Sequence, residues 1–77
     1  MSATMLDALL HIDEATTHEE REDLRDVLLN KRGVMTADYR DDRPHLMIVG
    51  FDPENINHKA LVTTVQNRGY HAELIAM

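Results

Sequence analysis

Apolar and polar positions alternate with period two over residues 4–12 (TMLDALLHI). Leu6, Ala8, Leu10 and Ile12 fall on one face, and Asp7, Leu9 and His11 on the other, as in a strand covered on one side. The period then lengthens. From Glu19 to about Lys31, Leu24, Val27 and Leu28 recur at i, i+3 and i+4, a helical stripe, and Gly33 follows as the helix-ending residue. Residues 34–40 (VMTADYR) and 45–51 (HLMIVGF) read as two further strands. Asp41-Asp42-Arg43-Pro44 between them has turn chemistry, so the pair reads as a hairpin. Asp52-Pro53-Glu54-Asn55 is a loop, and Asn57 caps a second helix over 58–68 built on Leu61 and Val65. Gly69 ends that helix, and 70–76 (YHAELIA) is the last strand. The order β-α-β-β-α-β predicts an α+β, ferredoxin-like sandwich, a four-stranded antiparallel sheet with both helices on one face. The expected strand order is 4-1-3-2.

Length and composition narrow the function classes. Seventy-seven residues make one domain, 1–77, and a chain of this size buries only about 60% of its unfolded surface. Zero cysteines exclude a disulfide framework, a zinc ribbon and any thiolate metal site. Eight basic against 14 acidic residues give a formal charge of -6, which speaks against nucleic-acid binding. No apolar run is long enough for membrane insertion, and the first 14 residues lack the basic start of a secretory signal; a cytoplasmic location is expected.

Several residues together carry a family resemblance. Gly33-Val34 follows the first helix, Phe51-Asp52-Pro53-Glu54 precedes the second, Leu61 and Val65 lie within it, and Gly69-Tyr70 opens the last strand. Over residues 8–76 the chain thereby resembles the heavy-metal-associated (HMA) domain. That family includes copper chaperones, a mercury-binding periplasmic protein and the N-terminal modules of metal-pumping P-type ATPases. Its defining motif is Gly-Met-Thr/Ser-Cys-x-x-Cys between the first strand and the first helix. The resemblance places that motif on Glu14-Ala15-Thr16-Thr17-His18-Glu19-Glu20, so the two cysteine positions fall on Thr17 and Glu20. Cu(I) needs thiolate or thioether ligands, and neither replacement supplies one.

Thr17-x-x-Glu20 has the spacing of a helix capping box, as has Thr16-x-x-Glu19. Seven of the 14 acids lie between Asp13 and Asp26, and those at the helix start suit its dipole. The same loop allows a second reading: His18, Glu19 and Glu20 as imidazole and carboxylate ligands for Zn²⁺, Ni²⁺ or Cu²⁺. Tyr70, at the Gly-Tyr position, is expected to pack under the loop.

Five histidines need placing. His45 and His58 read as solvated. Parity puts His11 and His71 on the uncovered sheet face of neighbouring strands, where Glu73 could join them in a divalent site or a pH-sensitive patch. The same face carries Leu9, Leu46, Ile48 and Ile75, whereas a solvated sheet face should read polar. Such a patch marks an interaction surface for a homodimer or another protein partner. The leading expectation is a non-enzymatic interaction module with no cofactor, and the alternative is a divalent-metal carrier or sensor. An enzyme is not indicated: Thr17, His18 and Glu20 come without a glycine-rich oxyanion loop, a P-loop or an HExxH.

Overall fold

The computed structural model describes residues 4–77. Of the N-terminal stretch 1–14, and of the domain 1–77, the first three residues lie outside them. The elements are β1 (Leu6–Ile12), α1 (His18–Leu29), β2 (Val34–Asp38), β3 (Leu46–Phe51), α2 (His58–Gln66) and β4 (Ala72–Ala76). The four strands form one sheet in the order β2-β3-β1-β4, every pair antiparallel. This is the expected ferredoxin-like arrangement.

Alternation fixes what the sheet buries. Ala8, Leu10 and Ile12 of β1, Ala37 of β2, and Met47, Val49 and Phe51 of β3 point into the core. There they meet Leu24 and Leu28 of α1 and Leu61 and Val65 of α2. Leu6, Tyr39, Ala72 and Leu74 pack around them half-buried, so the whole predicted inward set is on the helix side. Burying a large aliphatic side chain contributes roughly 1.5–3 kcal/mol, and this single layer supplies most of the apolar stabilisation of a small chain.

Both helices are shorter at the C-terminus than their periodicity suggests. α1 stops at Leu29 because Asn30 caps it, its backbone N–H and its Nδ2 both donating to the Asp26 carbonyl. α2 stops at Gln66, capped by Asn67. Gly33 and Gly69 therefore serve the turns that follow, at φ 96° and 99°, the left-handed region that glycine enters without a Cβ clash. Among the described residues no helix is long and apolar enough to cross a membrane.

Each edge strand carries an irregularity. In β4 the register jumps from Leu10↔Leu74 to Leu9↔Ala76, which leaves Ile75 as an extra residue. In β2 it jumps from Val34↔Phe51 to Thr36↔Gly50 across Met35. Bulges of this kind twist an edge and spoil it as a template for further strand pairing.

Candidate functional site

The loop joining β1 to α1, residues 13–17, is tied down at every turn by side chains. Thr17 is the N-cap of α1: its hydroxyl accepts from the Glu20 N–H at 3.1 Å, and the Glu20 carboxylate accepts from the Thr17 N–H at 2.8 Å. The capping box thus takes the Thr17 register. Accepting that N–H, more than any other contact, lowers the Glu20 pKa. Tyr70 lies against the same carboxylate, half-buried; its hydroxyl pKa is raised by burial first and by the Glu20 charge second.

Under the loop lies a buried arginine. Arg21 is 5% exposed and lies one turn ahead of Leu24 and two ahead of Leu28 on the inward stripe of α1. Its guanidinium donates to the Thr16 carbonyl, to the Thr16 hydroxyl at 3.0 Å and to Asp41 at 2.9 Å. Thr16, itself buried, donates its hydroxyl to the Pro44 carbonyl at 2.6 Å. The β1–α1 loop and the β2–β3 turn are therefore joined through one cation. His18 adds to this join, since its Nδ1–H donates to Asp41 at 3.0 Å. That bond raises the His18 pKa; together with Arg21 it lowers that of Asp41. Tyr39 lies beside both, with the guanidinium carbon 5.7 Å from its ring centroid. Its hydroxyl donates to Glu22, and that bond first, then burial, pushes the Tyr39 pKa up to about 12.

A second clasp closes the other side. Glu14 accepts from the His71 backbone N–H at 2.9 Å and from its Nδ1–H at 2.7 Å, while the Asp13 N–H donates to the His71 carbonyl at 2.8 Å. The His71 side-chain bond, then the backbone bond, holds the Glu14 carboxyl down at about 2, and Glu14 raises the His71 pKa in return.

This bonding decides where the expected ligands lie. His18 turns to Asp41 and Glu20 to the Thr17 N–H, while Glu19 stays exposed. His11 and Glu73 are register partners on β1 and β4, as parity required. His71 does not join them: β4 begins at Ala72, and the His71 ring is held by Glu14 ahead of the strand. The His11 ring instead stacks on His45, centroids 5.7 Å apart. Its Nδ1, although 3.3 Å from Asp13, is buried without a hydrogen-bond partner. His45 is not solvated but half-buried, its Nδ1–H donating to the Ile12 carbonyl at 2.8 Å. Among the described residues no group of three or more His, Asp or Glu side chains converges to hold a metal ion.

Among the described residues, nothing covers the sheet face away from the helices. Leu9 and Ile48 are register partners at its centre, Leu46 lies two residues along β3, and Ile75 stands on the β4 bulge. Ile48 is 43% and Ile75 48% exposed; Leu9 and Leu46 are half-buried. A shallow apolar hollow of about 70 Å³ opens beside Leu46 and Ile48, bordered by Asp38, Tyr39, Arg40 and Arg43.

The likeness to solved structures is close in shape and low in sequence. Oxidized MerP from Ralstonia metallidurans CH34 superposes with a TM-score of 0.85 at 15% identity, over 95% of this chain and 100% of that one. A copper binding domain from HMA7, a P-type ATPase, gives 0.83 at 20% identity, over 91% and 93%. The putative copper-ion-binding protein from Bacillus anthracis str. Ames gives 0.82 at 15%, over 94% and 100%. The fold is that of a heavy-metal-associated domain. No family model and no curated protein matches the sequence. Within that fold, this chain has no cysteine at any position.

Arg21, Asp41 and the Glu14–His71 clasp were not legible as site residues. The one available signal was Arg21 itself, a cation on the inward stripe of α1, which requires a buried partner. The partner, Asp41, lies 20 residues away in what reads as an ordinary turn.

Proposed function

We propose that the chain is a non-enzymatic protein-interaction module: an HMA fold without thiolate coordination that acts through its uncovered sheet face. The observation that carries this reading is the contrast between loop and face. Thr17 and Glu20, the positions the family motif gives to cysteine, bond to each other's backbone, and His18, Glu14 and His71 each hold a partner within the chain. Ile48 and Ile75 stand exposed beside half-buried Leu9 and Leu46 with no cover among the described residues, and neighbouring aliphatics on an otherwise solvated sheet face are a mark of association.

Titration calorimetry of tag-free protein with Zn²⁺, Ni²⁺, Cu²⁺ and Cu(I) tests the reading. No binding of micromolar strength or tighter is expected for any of them. Micromolar or tighter binding that disappears in His18→Ala or in His11→Ala overturns it in favour of a His/carboxylate metal carrier or sensor.

A further inference from the structure

We infer that the uncovered sheet face packs on a second copy of this chain about a two-fold axis parallel to the strands, the partner's Ile75 entering the hollow beside Ile48 and the partner's Glu73 meeting Arg43. The inference rests on the interaction-module reading and names its occupant.

The two edges make the face, rather than an edge, the surface left for association. β2 and β4 are both bulged, and a bulged edge is a poor template for adding a strand. The face, in turn, is not uniform. At the end where β3 begins, the β2–β3 turn brings Arg40 and Arg43 to the border of the Leu46–Ile48 hollow. At the same end, on the opposite edge, Glu73 lies level with His11, and His11 is level with Leu46. Arg40 is paired with Asp42 at 3.1 Å, but among the described residues neither Arg43 nor Glu73 has an ion-pair partner. Arg43 and Glu73 therefore stand at the same end of one face on opposite edges, while Asp38, also without an ion pair, lies level with Ile48 at the border of the hollow.

A two-fold axis along the strands preserves height and exchanges left for right. It lays β4 of the partner over β2, and β1 of the partner over β3. Arg43 then meets the partner's Glu73 twice, once in each direction, as a two-fold requires. Ile75, lifted by its bulge to the height of Leu9 and Leu10, comes over the hollow beside Ile48, which is level with Leu9. The central aliphatics Leu9 and Ile48 fall on the partner's Ile48 and Leu9. An axis across the strands would instead stack β2 on β2 and β4 on β4 and leave both charges unmet. Facing strands whose axes lie along a common direction, here with opposite chain sense, give the aligned packing of β-sandwiches, about 30° apart. Four strands about 4.8 Å apart and about five residues long present a contact of only about 300 Å² per partner in projection, well short of the roughly 800 Å² of a standard interface. A weak dimer that forms only at high protein concentration is therefore expected.

Sedimentation equilibrium of tag-free protein up to about 1 mM tests this. The wild type is expected to dimerise, and Ile75→Glu to weaken it at least ~100-fold, with Ile75→Thr showing the same direction. Arg43→Glu and Glu73→Arg should each weaken the homodimer about tenfold, because each creates two like-charge contacts. Mixed in equal amounts, these two variants should form a heterodimer of near wild-type affinity, since both contacts are then of opposite charge. All three positions are exposed at the edge or turn, and unchanged circular dichroism of each variant establishes that folding is intact. A monomeric wild type, an unaffected Ile75→Glu, or a mixture no tighter than its components overturns the inference. A monomer that also binds no metal leaves the interaction-module reading standing with a different protein as occupant; metal binding at the histidines overturns that reading instead.

Discussion

The β1–α1 loop and the uncovered sheet face are both places where this chain departs from a simple solvated surface, and they depart in opposite senses. The loop is crowded with polar groups, nearly all of them bonded inside the chain: Thr17 to Glu20, Arg21 to Thr16 and Asp41, Glu14 to His71. The face carries large aliphatic side chains, of which Ile48 and Ile75 are exposed, with nothing over them among the described residues. A polar group with an internal partner has its structural role already, whereas an apolar group without one stands in water at a free-energy cost of about 25 cal/mol per Å². The difference directs attention from the loop, on which the family resemblance places the altered motif at Thr17 and Glu20, to the face.

If the loop is structural, removing its bonds should lower stability. The largest effect is expected at Arg21, whose guanidinium is buried and satisfies the Thr16 carbonyl. Arg21→Ala strands that carbonyl and frees Asp41, and should cost about 2–3 kcal/mol in urea unfolding, with an unchanged m-value. Arg21→Lys keeps the charge but not the planar fork and should fall between. A loss under about 0.5 kcal/mol would mean that the two loops do not depend on this cation.

A smaller loss, about 1 kcal/mol, is expected for Thr17→Ala, which removes the cap and leaves the Glu20 N–H unpaired. Thr17→Ser should be close to neutral, because the hydroxyl is what matters. Faster amide exchange confined to the first turn of α1 would accompany the alanine variant and tie the loss to the cap.

How much of this was readable beforehand follows from the range of the interactions. Element order and the inward set from Leu6 to Leu74 follow from period-two and helical alternation, which act over neighbouring residues, and the strand order follows from the ferredoxin-like arrangement that this element order implies. The capping box was legible for the same reason, since Thr17 and Glu20 are three residues apart. Arg21 with Asp41 and Glu14 with His71 are separated by 20 and 57 residues, and no local pattern announces such pairs. Parity placed Glu73 beside His11 but misjudged His71, because β4 begins two residues later than its hydrophobic run suggests. It misjudged His45 as well, since a residue one step before a strand can still turn inward to a backbone carbonyl, here that of Ile12. The Leu9, Leu46, Ile48 and Ile75 patch needed only the alternation, and its position on the sheet is as expected; the bulge beneath Ile75 is a detail of three dimensions.

The smallest effect is a pH dependence that belongs to the loop alone, because Leu9, Leu46, Ile48 and Ile75 carry no titrating proton. The Glu14 carboxyl is held at about 2 against an ordinary 4.5, so its contribution is complete above pH 4.5 and is lost as pH falls toward 2. His71 and His18 are raised above the ordinary 6.5 by bonds to Glu14 and Asp41. Their contribution is complete below pH 6.5 and disappears as pH rises through those raised values. The loop is therefore held most firmly between about pH 4.5 and 6.5, and the unfolding midpoint should decline as the pH rises above 6.5. His18, Asp41 and His71 are largely open to solvent and Glu14 is more than a third exposed, so the decline should be slight and should shrink further in salt. In the double variant His18→Asn, His71→Asn the slope above pH 6.5 should flatten, while Ile48→Glu should leave it as it is. A slope that survives loss of both histidines would place the titrating group outside the loop, and the contrast between a titrating loop and an inert aliphatic patch would fail at that point.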